Sequence, residues 1–155
     1  MLTWLESTAY VEWMQTNIAS YPSMLTGHAI GLALTVGVAL MADLRLLGFY
    51  PTIPLTRLRG LLGWAWAGIA LNTVTGLMIF PTQATTYVTN IAFVTKMLCV
   101  VLGATTLVLT QRLLARDAAA WEAAGRVGAN GRNLALGSVV FWVMAIATGR
   151  LIAYQ

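Results

Sequence analysis

The sequence predicts an all-α fold: a bundle of four transmembrane helices with an N-terminal helix lying in the membrane interface. Hydrophobic residues make up 59% of the 155 residues and charged residues only 9%, whereas a soluble domain carries about 25% charged residues. The apolar residues also form continuous runs, not the alternating pattern of a membrane β-barrel. We therefore expect the whole chain, residues 1–155, to be one domain surrounded largely by the lipid bilayer.

Four segments are expected to span the membrane, because a spanning helix needs roughly 20 mostly apolar residues. They lie at about residues 24–47, 60–80, 91–111 and 134–154. The second span is expected to stop before Pro81, since a proline cannot continue the hydrogen-bond ladder of a helix. The uncharged segment 81–90 is then predicted to be the loop that leads to the third span.

Two further segments are predicted to be helices lying in the membrane interface. The first covers about residues 2–18, where apolar residues recur at helical spacing between acidic and amide side chains. Pro22 is expected to separate this helix from the first span. The second covers residues 113–124, between the third and fourth spans, with Trp121 as its anchor.

The distribution of cations predicts how the spans are oriented. The segment 81–90 and the N-terminal segment contain no cation, whereas the loops after the first and third spans are rich in arginine, at Arg57, Arg59, Arg112, Arg116, Arg126 and Arg132. Because cytoplasmic loops are enriched in Lys and Arg, we expect these two loops inside and both termini outside. The net charge of +4 is then a topology signal. Nucleic acid is not an expected partner, since no aromatic-basic motif is present.

Three basic or titratable residues fall at a similar depth near the outer ends of three spans: His28, Lys96 and Arg150. A charge at mid-span costs about 2.5–3.5 kcal/mol, so such groups usually face the bundle interior and find partners. One interpretation is a site for an anion, or for a cofactor with acidic groups such as haem propionates. The alternative is structural: Lys96 and Arg150 extend to the outer surface, or pair with Glu6 and Glu12 of the interfacial helix.

His28 is the only histidine in the chain, and it has two interpretations. It is a candidate ligand for the iron of a b-type haem, since imidazole is a common axial ligand and the small residues beside it leave room for a flat group. It could instead be hydrogen-bonded within the bundle, to Thr35, Asn72 or Thr75. One histidine excludes a bis-histidine haem within one subunit. Any haem would be five-coordinate, use a second ligand of another kind, or be shared across a dimer axis.

Asp43 is an acidic residue near the inner end of the first span. Arg45 is only two residues away, and side chains at that spacing leave a helix on different faces. We therefore expect Asp43 to pair with a cytoplasmic arginine from another helix, such as Arg112. A role in proton transfer is the alternative.

The chain resembles an uncharacterised bacterial family of four-helix integral membrane proteins, described only as a domain of unknown function. The resemblance covers nearly the whole chain and is carried by Tyr21-Pro22, His28 with Gly31, the run Asp43-Leu44-Arg45-Leu46-Leu47-Gly48, Phe93 with Lys96, and Trp142 with the run Gly149-Arg150-Leu151-Ile152-Ala153-Tyr154. It implies a four-helix fold and, with the topology above, a multi-pass protein of the bacterial inner membrane. It implies no activity.

A sparser pattern is similar to the haem-binding bacterial membrane protoporphyrinogen oxidases. That family pairs a histidine of the first helix with a lysine of a later helix, as His28 and Lys96 would pair here. Its first helix also carries an arginine near its end, at the place of Arg45. The likeness implies haem at His28, and we do not extend it to the enzymatic activity.

The leading functional hypothesis is a small membrane protein that binds haem b through His28 and acts in redox chemistry or electron transfer. Lys96 and Arg150 would then lie near the acidic groups of the cofactor. The main alternative is a non-catalytic accessory subunit or oligomeric scaffold, with a second copy or a larger membrane complex as its partner. A channel or transporter is less favoured, because the spans contain neither a half-helix break nor an internal repeat.

Overall fold

The computed structural model describes residues 2–152, which form helices joined by short turns and contain no strand. In chain order the helices are α1 (Thr3–Glu6), α2 (Ala9–Thr16), α3 (Ser20–Leu46), α4 (Leu55–Ile79), a 3-10 helix (Phe80–Gln83), α5 (Ala84–Thr89), α6 (Ile91–Ala123) and α7 (Ala129–Leu151). Four segments are long and apolar enough to cross a membrane: Ser20–Leu46, Leu55–Thr89, Ile91–Ala123 and Ala129–Leu151. The predicted all-α bundle of four transmembrane helices is confirmed. The predicted end of the last span, at residue 154, lies outside the described residues.

The two prolines near helix ends have different effects on the chain. Pro22 was expected to precede the first span, but α3 already begins at Ser20 and passes through it. This expectation was wrong because the first turn of a helix does not need the N–H that proline lacks. Pro81 lies within the 3-10 helix that follows the end of α4 at Ile79, so the regular α-helix ends next to this proline.

The N-terminal segment and residues 80–89 pack together over one end of the bundle, which we call the cap end. The helix predicted over residues 2–18 is divided into α1 and α2, and the predicted loop 81–90 is mostly helical, forming part of the 3-10 helix and α5. Val11 and Met14 of α2 are fully buried. The Tyr10 hydroxyl donates to the carbonyl oxygen of Met78 at 3.0 Å, which ties α2 to the end of α4.

The opposite end of the bundle carries Arg45, Arg126 and Arg132, and we call it the arginine end. Here α6 continues unbroken to Ala123, so the interfacial helix predicted at residues 113–124 was wrong. The 33 residues of α6 correspond to a helix about 50 Å long, which exceeds the roughly 30 Å thickness of the bilayer hydrocarbon. Leu114 and Ala118 are buried in the core of the bundle, and this packing keeps residues 113–123 in line with the rest of α6.

Close helix contacts in the centre of the bundle depend on glycine. A Cβ atom added to Gly68 of α4 would lie 2.7 Å from the Gly31 carbonyl oxygen of α3. A Cβ atom added to Gly103 of α6 would lie 2.9 Å from the indole ring of Trp142 on α7. Trp142 is the largest fully buried side chain in the described part of the molecule. These contacts fix α3 against α4 and α6 against α7.

Candidate functional site

His28 lies half-buried on α3, and its side chain contacts α4 near the cap end. Its Nδ1 atom is 3.0 Å from the Thr75 hydroxyl oxygen. That hydroxyl donates its own proton to the Leu71 carbonyl oxygen, at 2.8 Å. When the Thr75 proton is on Leu71, the Thr75 oxygen accepts from His28 in the tautomer that carries the imidazole proton on Nδ1. The Nε2 atom then keeps a lone pair that is available to an electrophile or a metal ion.

The structure selects one of the three side chains that the sequence offered as partners of His28. Thr75 makes the contact, and the Asn72 backbone also lies beside the ring. Thr35 instead donates to the carbonyl oxygen of Gly31, at 2.9 Å, and lies about two turns further along α3 than His28. A Cβ atom on Gly76 would lie 3.4 Å from the His28 Cε1 atom, so the glycine there lets the ring lie close to α4.

Lys96 brings a cation from α6 to the same region. The side chain is half-buried, and its Nζ atom lies 3.7 Å from the point that a Cβ atom would occupy on Gly149 of α7. Its positive charge acts electrostatically on His28 of α3. The single ion pair within residues 2–152 joins Arg116 and Asp117. Lys96 is therefore a half-buried cation with no carboxylate partner in the described chain.

Arg150 follows Gly149 on α7, but its side chain is exposed. His28 and Lys96 are both half-buried near the cap end, whereas Arg150 lies at its surface. The exposure gives Arg150 freedom to reach the membrane surface. Its participation in a site stays a prediction.

The acidic residues of the N-terminal segment do not pair with these cations. Glu6 accepts a hydrogen bond from the backbone N–H of Thr85 through Oε1, at 2.8 Å. This contact ties α1 to the first turn of α5 and occupies the carboxylate at a helix N-terminus, where a negative charge is favourable. Glu12 is exposed on α2. The sequence offered ion pairs of these acids with Lys96 and Arg150, and those pairs are not formed.

Asp43 was predicted to pair with an arginine such as Arg112, and this prediction was wrong. Asp43 is 2% exposed and faces α7, where the Ser138 hydroxyl lies beside its carboxyl group. Its Oδ2 atom has no hydrogen-bonding partner in the described chain. Arg112 is exposed on α6 and lines a shallow groove with Arg59. Sequence reasoning missed Ser138, because a small hydroxyl residue in an apolar run carries no signal of its own.

Arg45, the residue that matched the oxidase pattern, acts locally at the arginine end. Its Nε atom donates to the Ile53 carbonyl oxygen at 2.6 Å, and Nη2 donates to Pro51 at 3.3 Å. Glu122 similarly accepts from the backbone N–H of Thr56, at 2.9 Å, at the start of α4. These contacts organise the connection between α3 and α4, far along the bundle from His28.

Comparisons of the chain with protein-family models, curated proteins and solved structures found no match. In the part of the chain that the structure describes, no three His, Cys, Asp or Glu side chains gather as a metal site. The fold is that of a small multi-pass helical membrane protein. Its candidate site is the group of His28, Thr75 and Lys96, contributed by α3, α4 and α6.

Proposed function

We propose that this protein binds a b-type haem through the Nε2 atom of His28 and acts in membrane redox chemistry or electron transfer. The observation that carries the proposal is the hydrogen bond between His28 Nδ1 and the Thr75 hydroxyl group. Metal-ligating histidines almost always donate their second ring N–H to a fixed acceptor, which sets the tautomer and the ring orientation. In the tautomer protonated on Nδ1, Thr75 is such an acceptor, and the Nε2 atom is left for the iron.

Lys96 supports the same proposal through its charge. A half-buried ammonium group without a carboxylate is costly in an apolar bundle, and an acidic group of a ligand would offset that cost. Haem carries two propionates, and one of them is the partner we assign to Lys96, with Arg150 available at the surface for the other. When bound, the haem supplies the one-electron chemistry. The chain supplies the ligand, the orientation of its ring and the positive charge.

The absorption spectrum of the purified protein tests the proposal directly. Protein from haem-replete cells, extracted in mild detergent, should show a Soret band that shifts on reduction with dithionite. The matched control is the same preparation from membranes that lack the protein. A colourless protein, obtained with ample haem and retaining its helical content, would contradict the proposal.

Thr75→Val should weaken haem binding by about tenfold or more, because loss of a partner of the ligating histidine typically costs 10–100-fold in metal affinity. Thr73→Val on the same helix is the matched control. The Thr73 hydroxyl makes the same kind of bond to its own helix, to Ile69 at 2.8 Å, but the residue is exposed. Haem titration monitored at the Soret band measures both variants. Equal affinities in the two variants would remove Thr75 from the site.

We further propose that the cap end faces outward from a bacterial inner membrane and the arginine end faces the cytoplasm. The support is the concentration of arginines at one end. In a Cys99→Ser background, Thr85→Cys should react with a membrane-impermeant thiol reagent in intact cells, and Arg126→Cys should react only after lysis. Both positions are exposed, so burial does not confound the comparison. The opposite labelling pattern would invert the proposed topology.

A structural role is the second candidate function, and the same contacts favour it. The hydrogen bond from His28 to Thr75 joins α3 to α4, and Lys96 packs on Gly149 to join α6 to α7. A scaffold or accessory subunit of a membrane complex would need no more than this. It would remain colourless, and His28→Ala would then lower its thermal stability without any spectral change.

A further inference from the structure

We propose that Asp43 is a proton-binding site in the interface between α3 and α7, independent of any cofactor at His28. The site is a single neutral carboxylic acid near the arginine end of the bundle. The neutral acid releases its proton to water and becomes a carboxylate, and the carboxylate takes a proton from water to become neutral again. The chemistry is a reversible proton transfer, in which the O–H bond of Asp43 breaks as an O–H bond forms on a water molecule, and the reverse.

The first step of the argument is burial without an ion pair. Asp43 is 2% exposed, and the single ion pair found in residues 2–152 is formed by other residues. The nearest cation on its own helix, Arg45, donates to the backbone carbonyl groups of Ile53 and Pro51 instead. A carboxylate buried without a cation is strongly disfavoured, and the group becomes neutral instead.

The second step concerns what surrounds the carboxyl group on the packed helices. The flanking buried residues of α3 are Ala42 and Leu46, and the core at this end of the bundle is made of leucine and alanine side chains from α4, α6 and α7. Ser138 of α7 supplies the polar contact, and it cannot neutralise a negative charge. No salt bridge of Asp43 is formed within residues 2–152, so no cation of the described chain neutralises a carboxylate there.

The third step is the position of Asp43 along the bundle. It lies three residues before the end of α3 at Leu46, which corresponds to about 4.5 Å along a helix axis. The groove lined by Arg45, Arg126 and Arg132 opens at this same end. We infer that proton exchange occurs with the side of the membrane that the arginine end faces. An ionisable residue within a membrane span is typical of such relays.

Infrared spectroscopy tests the site with the full-length protein in lipid. At neutral pH, the wild-type spectrum should contain the carbonyl stretch of a protonated carboxylic acid, which should shift to lower wavenumber in D2O and disappear at alkaline pH. Asp43→Asn should remove this band. Asp117→Asn is the matched control and should leave the band unchanged, because Asp117 is bonded to Arg116 at 2.9 Å.

A second measurement does not depend on any variant. A hydrophobic carbodiimide reacts with protonated carboxyl groups, and peptide mass spectrometry of treated wild-type protein should locate the adduct at Asp43. Labelling should fall as the pH rises, and Glu6, Glu12 and Glu122 should remain unmodified. Absence of the acid band at neutral pH, its persistence in Asp43→Asn, or an adduct confined to other acids would each overturn the proposal.

Discussion

Gly68→Ala is expected to disrupt the contact between α3 and α4 and to leave little correctly folded protein. The added Cβ atom would lie 2.5 Å from the Thr35 hydroxyl oxygen and 2.7 Å from both the Thr35 backbone nitrogen and the Gly31 carbonyl oxygen. Two of these three atoms belong to the backbone, so no change of side-chain rotamer relieves the clash. Overpacking of a well-packed interface typically costs about 1–3 kcal/mol and occasionally more, and we expect the upper part of that range.

The matched control is Gly63→Ala, because Gly63 is on the same helix and a Cβ atom there meets nothing within 4 Å. Alanine favours a helix over glycine by about 0.5–1 kcal/mol, so this variant should be as stable as the wild type or slightly more stable. Thermal unfolding in mild detergent, followed by circular dichroism, measures both. Equal melting temperatures would show that α3 and α4 are further apart than the structure places them.

The four spans could be predicted because their signal is local. A run of roughly 20 apolar residues is sufficient evidence for a membrane helix, since a lipid-exposed backbone must satisfy its own hydrogen bonds. The residues at which the helices begin and end were harder to predict from the sequence. The first turns of α3 and α4 are polar or contain charged residues, for example Ser20 and Arg57. Such residues are compatible with a helix that extends beyond the hydrocarbon, but they do not reveal it.

Two of the regions that were wrongly or incompletely predicted have a common cause. Residues 113–124 and 81–90 were assigned from local polarity and proline content, whereas their conformation is decided by tertiary contacts. Leu114 and Ala118 are buried against other helices, which keeps α6 straight. At the other end, the bond between Glu6 and the Thr85 backbone joins segments 79 positions apart in the sequence. No periodicity in either segment contains that information.

The sequence predicted the depth of the candidate site residues in the membrane but not their hydrogen-bonding partners. The predicted topology placed His28 and Lys96 at one depth, and both side chains are half-buried near the cap end. The choice between Asn72 and Thr75 depends on the rotation of α4 about its axis, which the sequence does not fix, whereas Thr35 lies on α3 itself. Asp43 shows the same limit, because only the packed structure reveals that it faces Ser138 and not an arginine.

The other prediction with a large effect concerns the cofactor itself. His28→Ala should abolish the Soret band, because the chain has no second histidine and the iron would lose its protein ligand. Lys96→Gln should retain the band but lower haem affinity by about tenfold, the effect of losing about 1.4 kcal/mol from a charge-assisted hydrogen bond. Arg150→Gln should change the affinity much less, since its side chain is exposed and water screens its charge.

The relative sizes of the losses of haem binding in these three variants distinguish a cofactor site from a purely structural cluster. Glu6→Gln is the control, because Glu6 contacts the cap end through the Thr85 backbone and not through Lys96; it should reduce stability slightly and leave the spectrum unchanged. If His28 and Lys96 only fasten helices, their variants should lower the melting temperature while bound haem, if any, stays constant. Haem titrations and melting curves on the same four variants separate the cases. A loss of affinity in Arg150→Gln equal to that in Lys96→Gln would mean that burial does not decide which cation binds the propionate.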